Sequence, residues 1–124
     1  MNASPPDEPT VSVVICTWNR CQILAGCLDS LATHGWGQSN AWEVVVIDNN
    51  STDETASVVA SYREALPIRY ALEPAQGITH ARNRGLHVAA SRIIFFIDDD
   101  VRIRALWLEG YLAAIRRLDR KSVV

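Results

Sequence analysis

The chain has 124 residues, of which 48% are hydrophobic and 21% charged, and its formal net charge is -2. This composition is typical of one globular domain with a real core and excludes a disordered chain. The slightly negative charge argues against a general nucleic-acid binder. The three cysteines are odd in number and lack zinc-site spacing, so neither a disulfide framework nor a zinc site is expected.

The N-terminal residues are polar and rich in proline. We predict a disordered lead-in over residues 1–9 and one domain over residues 10–124. The lead-in lacks the apolar stretch of a signal peptide, and no later apolar run approaches the length of a membrane span. We therefore expect a cytoplasmic protein, and peripheral association with the inner face of the membrane stays open.

Strands and helices are predicted to alternate along the chain. Runs rich in β-branched and apolar residues predict strands at Val11–Thr17, Trp42–Asp48, Ile68–Leu72 and Arg92–Ile97. A helical stripe over residues 23–31 stops at Gly35, and a second helix opens with a capping box of Ser51 and Glu54 and ends before Pro67.

Two further helices are predicted, over residues 78–90, where Gly85 weakens the pattern, and over residues 107–118. The order is therefore βαβαβαβα. Strands that are apolar throughout and alternate with amphipathic helices predict an α/β fold, with a mostly parallel, Rossmann-like sheet covered by helices on both faces.

Three of these strands end in polar residues. The first runs into Thr17, Asn19 and Arg20, the second into Asp48, and the fourth into three aspartates. Ligands of open parallel sheets bind beyond the carboxyl ends of the strands, so these side chains are expected to share one site. Asp48 alone has two readings, because it either organises a turn or accepts hydrogen bonds from a base or ribose.

The aspartates Asp98, Asp99 and Asp100 repel one another, which calls for a nearby cation. In an extended chain Asp98 and Asp100 point to the same side, while Asp99 faces away or reaches round the turn. Two carboxylates suit Mn²⁺ or Mg²⁺, whose remaining positions are filled by phosphate oxygens and water. The alternative is that the acidic residues only cap a helix N-terminus.

Two other α/β functions fit poorly. A nicotinamide-binding dehydrogenase needs a glycine-rich turn after the first strand, and "TWNR" (residues 17–20) contains no glycine. A phospho-acceptor signalling domain would have acidic residues after that strand, and none stand there.

Arg82 lies on the third predicted helix. Its side chain is either solvated or in contact with a phosphate of the ligand.

Three blocks resemble the N-terminal half of glycosyltransferase family 2, the GT-A enzymes that use nucleotide sugars. They are "VSVVICTWNR", "EVVVIDNNSTDET" and "AQGITHARNRGLHVAASRIIFFIDDD". The last block ends in the D-x-D motif of this family. The resemblance covers residues 10 to about 118, in the family's order and spacing, and the fold it implies is GT-A.

The resemblance implies a role for each matching position. The nucleotide-sugar site would comprise Thr17, Asn19, Arg20, Asp48, Asn50, Arg82, Asp98 and Asp99. In it, Asp48 would bind the base and Arg82 would lie near the diphosphate. Asp98 and Asp100 would form the site for Mn²⁺ or Mg²⁺, with Asp100 as the direct ligand and Asp98 in contact with the ribose or a metal-bound water. Asn50 stands where the family usually has glycine, and asparagine tolerates the left-handed backbone that this turn requires.

The implied reaction is transfer of a sugar, with inversion, from a nucleoside-diphosphate sugar to an acceptor hydroxyl. UDP-sugars are the expected donors, and the acceptor is an unidentified sugar or lipid-linked molecule. Family members continue beyond the D-x-D helix, where they carry the acceptor site and the general base. The chain therefore resembles a truncated enzyme, expected to be weakly active or inactive alone, whose fourth strand lacks its usual neighbours on one side. The alternative is a fragment that binds nucleotide diphosphate without turnover.

Overall fold

The computed structural model describes residues 9–39, 41–116 and 122–123. Its elements are β1 (Val11–Thr17), α1 (Cys21–His34), β2 (Trp42–Asp48), α2 (Thr55–Ala60), β3 (Ile68–Leu72), α3 (Ile78–Val88), β4 (Ile93–Asp98), α4 (Trp107–Arg116) and β5 (Ser122–Val123). The predicted bounds of β1, β2 and β3 are confirmed, and β4 lies one residue later than predicted. Of the predicted lead-in, residues 1–8 lie outside the described residues, so its disorder stays a prediction.

The strands form one sheet in the order β3-β2-β1-β4-β5, and every pair in it is parallel. The central strand β1 pairs with β2 on one side and β4 on the other. The register aligns Thr17 with Asp48 and Cys16 with Asp98. The carboxyl ends of these three strands therefore meet at one edge of the sheet, as the sequence predicts.

Helices cover both faces of the sheet. On one face, α1, α2 and α4 bury a large apolar cluster that includes Leu24, Leu28, Val59, Phe95 and Leu108. On the other face, α3 packs through Ala81 over a smaller cluster that comprises Val14, Val45, Ile47 and Ile94. Successive side chains of a strand point to opposite faces, which explains why β1 and β2 are mainly apolar on both faces, apart from the hydrogen-bonded pair Ser12 and Glu43.

The start of α2 differs from the prediction, because the capping box of Ser51 and Glu54 does not form. Glu54 is the N-cap residue but makes no side-chain hydrogen bond to the helix. Asp53 instead accepts a hydrogen bond from the Thr55 amide at 3.1 Å. The Ser51 hydroxyl is used elsewhere, since its oxygen accepts a hydrogen bond from the backbone of Asn19 at 2.9 Å.

The short strand β5 also departs from the sequence analysis. It pairs with the first two residues of β4, aligning Ser122 with Ile93 and Val123 with Ile94. The expectation that β4 lacks neighbours on this side is therefore wrong for those two residues. The pairing occurs at the start of β4, far along the strand from the aspartates.

The last helix, α4, is confirmed over its described part. Leu108 is fully buried, and the rings of Phe95, Trp107 and Tyr111 pack with centroids 5.4 to 5.7 Å apart. The end of the predicted helix, residues 117–118, lies outside the described residues. None of the helices in the described part of the chain has the length and apolar character that a membrane span requires.

Candidate active site

A cavity of about 380 Å³ opens at the carboxyl ends of β1, β2 and β4. Its lining comprises Cys16, Thr17, Trp18, Arg20, Asn49, Ile78, Ala81, Asp98, Asp99 and Asp100. Of the residues predicted for the site, Thr17, Arg20 and the three aspartates are therefore brought together. Asn19, Asp48, Asn50 and Arg82 are not among the residues that line this cavity.

The loops after β1 and β2 are joined by hydrogen bonds. The Asn49 amide donates to the Thr17 carbonyl at 2.9 Å, and the Asn19 amide donates to the Ser51 hydroxyl oxygen at 2.9 Å. The Asn19 side-chain oxygen accepts in return from the Thr52 amide at 2.7 Å. Asn19 thus connects the two loops. Its predicted contact with the nucleotide sugar stays a prediction.

Two asparagines in these loops have left-handed backbone. The φ angle is 52° at Asn19 and 70° at Asn50. Asparagine adopts this conformation more readily than other residues with a side chain, because its short polar group bonds locally. The prediction that Asn50 tolerates the turn in place of glycine is confirmed.

The acidic turn, Asp98–Asp100, follows β4 and does not continue its extended alternation. The chain turns because the Val101 amide donates to the Asp98 carbonyl at 3.1 Å. As a result Asp99 reaches round into the cavity and is only 7% exposed. Asp98 and Asp100 are exposed and line the same cavity.

Asp99 is held by two residues of the segment that ends β1. Thr17 Oγ1 donates to Asp99 Oδ2 at 2.9 Å. Arg20 Nη2 lies 3.2 Å from Asp99 Oδ1 and 3.8 Å from Asp100 Oδ2. The guanidinium of Arg20 is therefore a cation that the protein itself supplies to the acidic turn. From the sequence, a metal ion was expected to be the only cation there.

The donor set at the acidic turn fits a hard divalent cation that is shared with phosphate. Within residues 9–39, 41–116 and 122–123, no group of three or more His, Cys, Asp and Glu side chains is arranged as a metal cage. Mg²⁺ and Mn²⁺ do not need such a cage, since they bind through one or two carboxylates plus substrate phosphates. Asp98 and Asp100 offer two accessible carboxylates of this kind.

Asp48 is buried and already has two partners. The Tyr70 hydroxyl donates to Asp48 Oδ2 at 2.6 Å, and the Ser51 amide donates to Asp48 Oδ1 at 2.9 Å. The second bond organises the turn after β2, which is the structural reading of this residue. Its role in base binding stays a prediction.

We expect the protein to lose stability progressively between about pH 10 and pH 12. Burial, and after it the hydrogen bond to Asp48, raise the pKa of the Tyr70 hydroxyl to about 12. Tyr62 behaves alike, with a pKa of about 12 raised by burial and by Asp29. In the unfolded chain both hydroxyls ionise near pH 10. Above that pH the unfolded state loses protons before the folded state does, and this ionisation stabilises the unfolded state relative to the folded one.

The measurement is the absorbance of tyrosinate at alkaline pH, together with urea unfolding at several pH values. Tyr70→Phe should remove part of the alkaline loss of stability. Titration of Tyr62 and Tyr70 near pH 10 in the folded protein would contradict the expectation.

Arg82 lies on α3 with an exposed side chain. The pKa of the Cys16 thiol is raised to about 11, chiefly by burial; the positive charge of Arg82 opposes this rise, and the charges of Asp98 and Asp99 add to it. Arg82 therefore acts electrostatically on the same end of the sheet as the acidic turn. Its predicted contact with the diphosphate stays a prediction.

Several residues that line the cavity were not among the predicted site residues. Trp18 is 50% exposed and Ile78 is 57% exposed, so both present apolar surface at the cavity. The Asn49 amide holds the loop before α3, since its Nδ2 donates to the carbonyls of Glu73 at 3.0 Å and Ala75 at 2.9 Å. An exposed tryptophan beside a strand end was a usable signal, whereas the backbone partners of Asn49 lie too far along the chain to be inferred.

The fold is that of an α/β domain with a cavity at the carboxyl ends of its parallel strands, which is where open sheets of this kind bind ligands. Residues 12–124 match the family described as glycosyl transferase family 2, and the chain belongs to that family. It is 37% identical over 108 residues to validoxylamine A glucosyltransferase of Streptomyces hygroscopicus subsp. jinggangensis, covering 86% of this chain and 25% of that protein.

Two solved structures extend the comparison. S. aureus TarS 1-349 in complex with UDP superposes with a TM-score of 0.79 at 30% identity, over 87% of this chain and 32% of that one. Mannosyltransferase PcManGT from Pyrobaculum calidifontis, in complex with GDP-Man and Mn²⁺, gives a TM-score of 0.66 at 31% identity, over 77% and 30% of the two chains. The predicted GT-A fold is confirmed, and the chain spans about a quarter of the length of the curated relative.

Proposed function

We propose that this chain forms the donor-binding part of a metal-dependent glycosyltransferase. The enzyme would transfer a sugar from a nucleoside-diphosphate sugar, with UDP-sugars as the expected donors, to an acceptor hydroxyl. The observation that carries the proposal is the cavity itself, in which two accessible carboxylates, an arginine and a half-exposed tryptophan converge. TarS and PcManGT were solved with UDP and with GDP-Man and Mn²⁺, which supports a donor of this class.

Each lining group has a chemical task in this proposal. Asp98 and Asp100 would hold Mn²⁺ or Mg²⁺ beside the diphosphate. When bound, the metal supplies Lewis-acid stabilisation of the departing diphosphate. Arg20 donates charge-assisted hydrogen bonds to phosphate oxygens, and Trp18 offers a flat face on which a nucleobase stacks.

The acceptor half of the reaction is proposed from the family alone. A carboxylate general base would deprotonate the acceptor hydroxyl, which is that of a sugar or lipid-linked molecule, and transfer would proceed with inversion. We place this reaction in the cytoplasm, at the inner face of the membrane if the acceptor is a lipid. Since this stretch spans 25% of its curated relative, nucleotide binding without turnover is the second candidate for the stretch alone.

Calorimetric titration of UDP with manganese, and again with a chelator, tests the proposal. We expect UDP to bind at least about tenfold more tightly with manganese, because the metal neutralises both the carboxylates and the diphosphate. UMP should lose most of this dependence, since it lacks the second phosphate. Titrating GDP in parallel reports base preference. UDP binding that is absent, or equal with and without manganese, would contradict the proposal.

A further inference from the structure

The cation beside the acidic turn is unevenly shared between two carboxylates. Arg20 Nη2 lies between Asp99 Oδ1 at 3.2 Å and Asp100 Oδ2 at 3.8 Å. The Asp99 side chain is 9% exposed, whereas that of Asp100 is 61% exposed. Asp99 also accepts from Thr17, so each of its two carboxylate oxygens has a partner. Asp99 therefore anchors Arg20, and Asp100 stays accessible beside the same positive charge.

A second arginine follows the acidic turn but does not take the same position. Arg102 contacts the backbone carbonyl of Asp100, at 3.4 Å, rather than its carboxylate. Its guanidinium lies against α1 at Gly26, where an added Cβ would come within 2.1 Å of it. Among the described residues, Arg20 is thus the cation that lies within 4.0 Å of the acidic side chains.

The position of Arg20 has opposite consequences for a metal and for a diphosphate. A divalent cation at Asp100 meets the fixed positive charge of Arg20, which repels it and competes for the carboxylate. A diphosphate brings negative charge to the same place, where Arg20 attracts it. Once the diphosphate is present, the guanidinium has a second anionic partner and its penalty on the metal falls.

We propose that Arg20, held by Asp99 and Thr17, is a positioning residue that makes metal and nucleotide diphosphate bind together. It weakens binding of the metal alone and strengthens binding of the diphosphate. Because its penalty on the metal falls once the diphosphate engages the guanidinium, the two ligands favour each other by more than their direct contact provides. This inference rests on the proposed function and assigns Arg20 the coupling of its two ligands. Asp99 acts through Arg20 and is not itself a metal ligand.

The test measures free manganese by electron paramagnetic resonance, with and without UDP, in the wild-type protein, Arg20→Met and Arg20→Lys. Calorimetric titration in the presence of a chelator measures binding of UDP alone to the same three proteins. For Arg20→Met we expect manganese alone to bind about three- to tenfold more tightly and UDP alone to bind more weakly by a similar factor. The factor by which UDP improves manganese affinity should fall. Arg20→Lys keeps the charge and should retain the weak manganese affinity of the wild type.

Arg63→Met is the matched control, because it removes the same charge from an exposed residue at the opposite end of the sheet. Arg63→Met should leave unchanged the affinity for manganese alone, the affinity for UDP alone and the affinity for manganese in the presence of UDP. If Arg20→Met binds manganese no more tightly than the wild type while manganese-linked UDP binding persists, the role of Arg20 is overturned and the proposed function stands. If the wild type shows no manganese-linked UDP binding, both fall. Circular dichroism of each variant verifies the fold.

Discussion

Asp100→Asn is expected to weaken binding of UDP in the presence of manganese by at least about tenfold, because it removes the charge of the accessible carboxylate in the proposed metal site. The melting temperature should not change. The Asp100 side chain is 61% exposed, and its 3.8 Å contact with Arg20 is a surface ion pair. Surface ion pairs of this kind contribute about 0.2 to 1 kcal/mol to the free energy of unfolding.

Asp99→Ala is the informative comparison, because it removes a carboxylate from the same turn with a different structural role. Asp99 is buried against Thr17 and Arg20. Its loss should lower the free energy of unfolding by about 1 to 3 kcal/mol, since the Thr17 hydroxyl loses its buried partner. Calorimetry and thermal melting of both variants separate the two roles. Equal effects of the two variants on UDP binding, or a wild-type affinity of Asp100→Asn, would contradict this division.

Gly85→Leu is expected to lower the free energy of unfolding by about 3 kcal/mol, because the site has no room for a side chain. Gly85 lies in α3 where the helix crosses the sheet. A Cβ there would lie 2.7 Å from Val14 Cγ1 and 3.2 Å from Phe96 Cε1. Urea unfolding should show the loss, and the melting temperature should fall by roughly 10 °C for a domain of this size.

Gly110→Leu in α4 is the control for helix propensity. An added Cβ at Gly110 meets no described atom within 4 Å. Leucine favours a helix over glycine by roughly 0.8 kcal/mol, so this variant should be neutral or stabilised. Stabilisation by both leucines would show that propensity, rather than close packing, governs position 85.

The main strands were predictable because their signals are local. β1 and β2 are runs of mostly apolar, buried residues that end in polar ones, and their observed bounds equal the predicted ones. The start of α2 was not predictable from its own residues, because Ser51 bonds to the amide of Asn19, 32 positions earlier in the chain. β5 has two residues, too few to show any period.

The candidate site was predictable in outline and not in its internal contacts. Parallel topology brings the ends of β1, β2 and β4 together, so the convergence of Thr17, Arg20 and the aspartates followed from the order of elements. The burial of Asp99 depends on a backbone turn at Asp98 that no alternation rule anticipates. Its pairing with Arg20 joins residues 79 positions apart, which only the folded chain reveals.

The hydrogen bonds between the loops after β1 and β2 also constrain how this protein can evolve. The Asn19 side-chain oxygen accepts a hydrogen bond from the Thr52 amide, and the Asn19 backbone amide donates one to the Ser51 hydroxyl oxygen. A substitution at position 19 removes the acceptor of the Thr52 amide and strains the left-handed backbone whose amide donates to Ser51, so both contacts between the loops are affected. Divergent descendants of this sequence should alter the two loops in concert, as one inherited unit.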